Sequence, residues 1–90
     1  MKALLHVCAS LNTLYSPYSI LEVPEGTRDD ELKAFADKCL PSLYGDEETV
    51  VVDSDGVCWS NGECWYIGDL RFISEEDAAH LTRILGLSTL

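Results

Sequence analysis

Two aspartates beside a glycine, in the run Asp53-Ser54-Asp55-Gly56, are the residues whose spacing most suggests chemistry. Paired carboxylates can hold a divalent cation or take part in phosphate transfer. A calcium loop of the EF-hand type needs glycine at its sixth position and glutamate at its twelfth. Here Gly56 is the fourth residue and Cys64 stands where the glutamate belongs. The spacing therefore excludes that type of site.

Residues 50–57, Val-Val-Val-Asp-Ser-Asp-Gly-Val, resemble the first motif of haloacid-dehalogenase-type phosphatases, where an apolar strand ends in Asp-x-Asp-Gly. The resemblance implies that Asp53 attacks phosphate, that Asp55 acts as acid and base, and that Mg²⁺ is bound. That family also uses a parallel sheet, a later Ser or Thr, a Lys and a second acidic pair. Only 33 of the 90 residues follow Val57. A hairpin turn, which favours Asp-Gly, is the preferred interpretation, and no catalytic residue is assigned.

Thiols and imidazoles form the second group that could carry chemistry. Its members are His6, Cys8, Cys39, Cys58, Cys64 and His80. No two cysteines have the two-to-four-residue spacing of a zinc site, and no Cys–His pair is placed for nucleophilic catalysis. In a reducing compartment such cysteines are small apolar core residues. We therefore predict no metal and no cofactor.

Acidic residues are the strongest remaining signal. The chain has 16 Asp and Glu against six Lys and Arg, a net charge of −10. Such a surface disfavours direct binding to nucleic acid and to anionic membranes, and it favours basic partners. The acids are concentrated in the clusters Asp29-Asp30-Glu31, Asp46-Glu47-Glu48 and Glu75-Glu76-Asp77.

Each acidic cluster also has a structural explanation, either helix capping or solvation of a loop. Capping, however, needs one acid at a helix start and not three. If both helix starts and the 46–48 loop lie at one edge, they form one anionic patch. An acidic surface without a specific partner is the alternative interpretation.

In size and acidity the chain resembles phage-encoded anti-defence proteins, including anti-CRISPR proteins that mimic DNA. The resemblance implies a non-enzymatic inhibitor whose acids occupy the basic nucleic-acid-binding site of a partner. Its contact residues would be Asp29, Asp30, Glu31, Asp46, Glu47, Glu48, Glu75, Glu76 and Asp77. Interfaces concentrate aromatic residues, so Tyr15, Tyr18, Tyr44 and Trp65 are candidate anchors.

The elements that must position these residues follow from periodicity. Strands are predicted over residues 2–9 and 18–23, and a β-branched run over 49–53 is suited to a central strand. Thr27 opens a helix, with Asp30 at its third position, and Pro41 ends it. The apolar stripe of that helix is Leu32, Phe35, Ala36, Cys39 and Leu40.

Three dipeptides predict tight hairpin turns: Asp55-Gly56, Asn61-Gly62 and, more weakly, Gly68-Asp69. In this register Val52 pairs with Trp59, and Trp59 pairs with Cys64. Two sets of side chains then share faces, namely Val50, Val52, Trp59 and Cys64 on one, and Val51, Cys58, Trp65, Ile67 and Phe72 on the other. Cys58 and Cys64 fall on opposite faces, which argues against a disulfide between them.

Ser74 caps a final helix that buries Ala78, Leu81, Ile84 and Leu85 and stops at Gly86. The order ββ-α-βββ(β)-α predicts one α+β domain over residues 1–90. It consists of an antiparallel sheet of four to six strands with two helices packed on one face.

The remaining predictions concern location and assembly. No apolar stretch approaches 18 residues and no signal peptide is recognisable, which predicts a cytoplasmic protein. The alternative function is an interaction module that pairs through a sheet edge or an uncovered apolar face, as a monomer or weak dimer. Asp53-based phosphatase activity is the third.

Overall fold

The computed structural model describes residues 1–9, 18–43, 49–60 and 62–90. Its elements are β1 (Lys2–Ala9), β2 (Tyr18–Glu22), α1 (Asp29–Cys39), β3 (Val51–Val52), β4 (Cys58–Ser60), β5 (Glu63–Ile73) and α2 (Glu75–Leu85). The strands form one antiparallel sheet in the order β2-β1-β5-β4-β3. The predicted α+β class, element order and strand count are confirmed.

The sheet is built around β1, which stays paired with β5 from Lys2↔Ile73 to Ala9↔Trp65. β5 therefore runs unbroken through Gly68-Asp69, and the predicted third hairpin turn is wrong. The register shifts between His6 and Val7, so Gly68 is taken up as an extra residue in a β-bulge. The long ladder keeps the backbone hydrogen bonds that a turn at this point would have broken.

One face of the sheet is covered by α1, and it is called the covered face below. Leu32 and Ala36 of α1 pack on Ala3 of β1, Leu21 of β2 and Val23, the residue after β2. A second buried cluster further along contains Leu5, Val7, Leu40, Cys58 and Trp65. The predicted apolar stripe of α1 is confirmed. The α-helix stops at Cys39 and passes into a 3₁₀ turn, Leu40–Ser42, that contains Pro41.

The second helix lies against the other face, called the open face. Ala78 and Thr82 of α2 line a groove together with Lys2 and Ile20. Ile20 pairs with Leu4, on the opposite side of the sheet from the residues that contact α1. The prediction that both helices pack on one face is therefore wrong. The connection through α1 runs from β2 to β3, and the connection through α2 runs from β5 back to β2, so the two cross the sheet in opposite directions. Crossovers of the same handedness then place their helices on opposite faces.

Little of α2 is buried. Ala78 is buried and Leu81 half-buried, whereas Ile84 and Leu85 are 60% and 63% exposed. The predicted buried stripe is therefore wrong for its last two residues. They lie in the final turn of the helix, just before the tail that pairs with the outer edge of β2.

The residues after α2 cover that outer edge. The Ile20 N–H donates to the Ser88 carbonyl at 2.9 Å, and the Leu90 N–H donates to the Ile20 carbonyl at 2.7 Å. The Glu22 N–H donates to the Leu90 carbonyl at 3.1 Å. This tail runs parallel to β2 and pairs with the edge of the sheet opposite β3.

β3 is a two-residue edge strand, so the prediction of a central strand over 49–53 is wrong. The Asp53 N–H donates to the Val57 carbonyl at 3.0 Å, and the Gly56 N–H donates to the Asp53 carbonyl at 3.1 Å. These bonds enclose a three-residue loop rather than the predicted two-residue turn, with Gly56 at φ 83°. The extra residue shifts the register by one, so Val51 and not Val52 pairs with Trp59.

The second hairpin has the predicted register. Its pairs are Ser60↔Glu63, Trp59↔Cys64 and Cys58↔Trp65; Asn61 lies outside the described residues. Cys58 and Trp65 therefore belong to the covered face, and Trp59 and Cys64 to the open face. No disulfide joins the four cysteines, all of which are described.

The helix caps match the predictions in part. The residue before α1 is Arg28, whose N–H donates to Glu31 Oε1 at 3.1 Å, while the Thr27 hydroxyl donates to the Pro24 carbonyl. The prediction that Thr27 caps this helix is therefore wrong. Ser74 Oγ accepts from the Asp77 N–H at 3.0 Å, and Gly86 ends α2 at φ 65°, as predicted.

Candidate functional site: an acidic pole and an exposed aromatic patch

Both acidic helix starts lie at the same end of the sheet. β2 and β5 each run antiparallel to β1, and their last residues flank Lys2, since Lys2 pairs with Glu22 and with Ile73. α1 follows β2 and α2 follows β5, so both helices begin at this end, on opposite faces. The carboxylates here are called the acidic pole: Glu22, Glu25, Asp29, Asp30, Glu31, Glu75, Glu76 and Asp77.

Cations neutralise only part of the acidic pole. The N-terminal ammonium lies 3.4 Å from Glu25, and Arg28 lies 3.4 Å from Asp30 and 3.1 Å from Glu31. Lys2 pairs with Glu22, and their hydrogen bond raises the pKa of Lys2 and lowers that of Glu22. These pairs are exposed, so each contributes little to stability.

The carboxylates of Asp29, Glu75, Glu76 and Asp77 make no ion pair with any residue that the structure describes. All four residues are exposed. They also stand in the first turns of α1 and α2, where the helix dipole favours negative charge. The acidic pole therefore presents more negative charge than it neutralises, and its field reaches into solvent.

The predicted third cluster, Asp46, Glu47 and Glu48, lies outside the described residues. Of the nine predicted contact residues, the six at the two helix starts lie at the same end of the sheet, three on each face.

The open face carries an aromatic patch that the sequence did not single out. Val51, Trp59 and Tyr66 are 66%, 46% and 44% exposed, and they are called the aromatic patch. Val51 pairs with Trp59 and Trp59 with Cys64, so this row crosses three strands. α2 leaves this end of the face uncovered, because its buried residue Ala78 lies beside Lys2 and Ile20.

Of the two predicted aromatic anchors that the structure describes, one is buried and one is exposed. Trp65 is 1% exposed, and its Nε1 donates to the Leu40 carbonyl at 2.7 Å, so it is a core residue and the prediction is wrong. Tyr18 is exposed on the open face and stacks on His6, with ring centroids 4.4 Å apart. Tyr15 and Tyr44 lie outside the described residues. The predicted register of the second hairpin places Trp59 and Trp65 on opposite faces of the sheet. It does not say which of the two faces is covered.

The Asp53 side chain stabilises the first hairpin loop. Its Oδ1 accepts from the Asp55 N–H at 2.8 Å and the Val57 N–H at 3.0 Å, and its Oδ2 accepts from Trp59 Nε1 at 3.0 Å. Both carboxylate oxygens are thus engaged in holding the loop and the Trp59 ring. These bonds, the one from Trp59 foremost, lower the pKa of Asp53.

We expect Asp53→Asn to flatten the acid dependence of stability. A carboxyl whose pKa is lower in the folded protein stabilises the fold above the unfolded pKa, and this stabilisation is lost as pH falls through the folded pKa. The wild type should therefore lose more of its thermal midpoint than Asp53→Asn between about pH 5 and pH 2. Circular dichroism melts measure this. Equal slopes in the two proteins would contradict the assignment.

The thiols and imidazoles do not gather into a site. Among the described residues, no three His, Cys, Asp or Glu side chains form a group that could hold a metal ion. Burial raises the pKa of the Cys39 and Cys58 thiols, and for Cys58 the carboxylates of Asp37 and Asp53 add to this. Both thiols are therefore protonated and weakly nucleophilic near neutral pH.

Comparisons with protein-family models, curated proteins and solved structures find no match to this chain. None of its described helices is long and apolar enough to cross a membrane. Function must therefore be inferred from the two surface features, the acidic pole and the aromatic patch.

Proposed function

We propose that the chain is a non-enzymatic inhibitory binding protein that works in the cytoplasm. Its acidic pole occupies a basic surface with which a partner binds nucleic acid, as a phage-encoded anti-CRISPR protein that mimics DNA would do. The observation that carries this proposal is that two exposed acidic helix starts lie at the same end of the sheet. A surface built to bind phosphates presents Lys and Arg to any dense array of anions.

The pole suits such a target because its charge is held by rigid elements. Asp29, Glu75, Glu76 and Asp77 are fixed to the first turns of two helices, so little backbone entropy is lost when they bind. Their position on opposite faces of the sheet spreads the charge around one end of the molecule. Complementary fields of this kind speed association, and they weaken steeply as salt is added.

A pull-down from a bacterial lysate tests this function. We expect the tagged chain to capture basic nucleic-acid-binding proteins at about 0.1 M salt and to release them at about 1 M, where charges are screened within roughly 3 Å. Added double-stranded DNA should displace the chain from them. Capture that persists at high salt and in the presence of DNA would contradict the proposal.

Matched charge variants make this test specific. The triple variant Glu75→Gln, Glu76→Gln, Asp77→Asn removes three charges from the pole. At about 0.2–1 kcal/mol for each exposed pair, we expect roughly a tenfold loss of affinity for the captured partner. The control variant Asp37→Asn, Asp55→Asn, Glu63→Gln removes the same charge elsewhere and should bind nearly as the wild type. Equal losses would mean that net charge, rather than the pole, determines binding.

A second function, a module that pairs with another protein through its sheet edge or open face, is favoured by the aromatic patch. Val51 belongs to an edge strand, and Trp59 and Tyr66 lie beside it on the uncovered part of the open face. Exposed aromatic residues next to an open edge are typical of protein interfaces.

A further inference from the structure

We propose that two copies of the chain associate edge to edge through β3, in antiparallel orientation, about a two-fold axis at Val51. The proposal rests on the second of the functions above and is independent of the acidic pole. It extends the five-stranded sheet of one copy into that of the other and joins their aromatic patches.

β3 offers the open edge that such pairing needs. The other edge strand, β2, is already bonded along its outer side by Ser88 and Leu90. The Asp53 N–H points toward the β4 side, where it donates to the Val57 carbonyl. The backbone groups of successive residues in an antiparallel strand point to alternate sides, so the Val52 N–H and carbonyl point away from β4. β3 pairs with β4 alone among the described residues. An edge that presents its backbone groups in this way is a template for another strand.

The edge is complementary to itself in one register. With the axis at Val51, Val51 faces Val51 of the second copy, and Val52 can exchange backbone hydrogen bonds with Val50 of the second copy. Because Val51, Trp59 and Cys64 form one row, the two rows join across the axis into a continuous stripe on the open face. Cross-strand pairs of β-branched and aromatic residues stabilise a sheet.

The distribution of charge permits a second copy here despite a net charge of −10 on each. β3 and β4 consist of Val51, Val52, Cys58, Trp59 and Ser60, and carry no charged side chain. Antiparallel pairing also points the two acidic poles to opposite ends of the joined sheet. The remaining repulsion acts over a distance and is screened by salt.

The available area indicates a weak dimer. Pairing at this edge covers the exposed parts of Val51 and Val52 only, because Trp59 and Tyr66 lie one and two strands further in, about 5 and 10 Å from the edge. A stable interface buries about 800 Å² per partner. The dimer should therefore be reversible and populated only at high protein concentration.

Sedimentation equilibrium of the whole chain up to about 1 mM tests the proposal. We expect the average mass to rise from 10.0 kDa toward twice that value with concentration. It should rise more at about 1 M salt than at about 0.1 M, because screening reduces the repulsion between copies. This salt dependence is opposite in sign to that expected for the acidic pole, so the two proposals can fail separately. A monomeric mass at every concentration and both salts would overturn this one.

Substitutions then locate the interface. Val51→Lys places two cations face to face and should abolish association, whereas Ile84→Lys, at a similarly exposed apolar residue on α2, should not. The reverse result would overturn the β3 interface. Circular dichroism establishes that both variants are folded.

Cross-linking tests the register. Facing residues of a non-hydrogen-bonded antiparallel pair have Cα atoms about 4.5 Å apart, within disulfide range. Val51→Cys should therefore form a symmetric disulfide between copies under oxidising conditions, mapped by mass spectrometry. Association without cross-linking at residue 51 would overturn the Val51-centred register.

Discussion

Replacing Trp65 with alanine is expected to lower the free energy of unfolding by about 3–5 kcal/mol. Trp65 is fully buried in the cluster that joins Leu5, Val7 and Cys58 of the sheet to Leu40. Its Nε1 also donates to the Leu40 carbonyl, where α1 gives way to the 3₁₀ turn. The substitution removes the largest buried side chain and leaves that carbonyl without this donor. Since domains of this kind are stable by about 5–15 kcal/mol, urea denaturation should show a large shift in midpoint.

Trp59→Ala is the matched control, because it removes the same side chain from the neighbouring strand. Trp59 is half-exposed on the open face, and its main polar contact is the hydrogen bond to Asp53. Trp59→Ala should therefore lower the free energy of unfolding by only about 1 kcal/mol. Equal costs for the two tryptophans would mean that the assignment of covered and open faces is wrong. Trp65→Phe removes the hydrogen bond to Leu40 together with part of the buried ring, and it should cost about 1–3 kcal/mol.

Gly68→Ala is expected to lower the free energy of unfolding by about 1–3 kcal/mol, although it adds a single methyl group. A Cβ at this position would lie 2.5 Å from Cys8 Sγ and 3.0 Å from His6 Nδ1. Both side chains stand on the facing strand β1, and the His6 ring is held by its stack on Tyr18. The bulge in the central ladder therefore depends on glycine for space. Thermal and urea unfolding measure the loss.

A double-mutant cycle separates this clash from other effects of alanine. If the Cys8 thiol is the obstacle, Cys8→Ala combined with Gly68→Ala should cost less than the sum of the single variants. Additive costs would refute the steric explanation and would leave a change in backbone conformation as the cause.

The elements predicted well are those specified by local signals. β1, the stripe of α1, the Ser74 cap and the Gly86 stop each depend on residues within a few positions of one another. The second hairpin also has its predicted register, since its pairs lie next to the turn. At Asp55-Gly56 the predicted register is off by one residue. There the Asp53 side chain accepts two backbone N–H groups and stabilises a longer loop, which the dipeptide alone does not indicate.

Two other predictions were wrong because pairing with distant strands decides the structure of those residues. The dipeptide Gly68-Asp69 has the composition of a turn, but pairing with all of β1 keeps β5 unbroken. The β-branched run at 49–53 has the composition of a central strand, yet sheet order puts it at an edge. Neither pairing partner nor sheet order is encoded in a window of a few residues.

The candidate site was partly predictable for the same reason. The acidic clusters at the helix starts are plain in the sequence, and their exposure follows from their charge. Their position at the same end of the sheet required β2 and β5 to flank β1 in the same direction. The aromatic patch required knowledge of which sheet face α2 leaves uncovered.

By itself, the sequence determined the α+β class, the ends of most elements and the strongly acidic helix starts, because these depend on periodicity, capping and charge. Tertiary structure alone decided that the helices lie on opposite faces and that Trp65 is buried while Trp59 is exposed. Alternation along a strand divides residues into two faces without saying which one is covered. That choice depends on how the crossover connections pass over the sheet, and so on contacts between residues far apart in the chain.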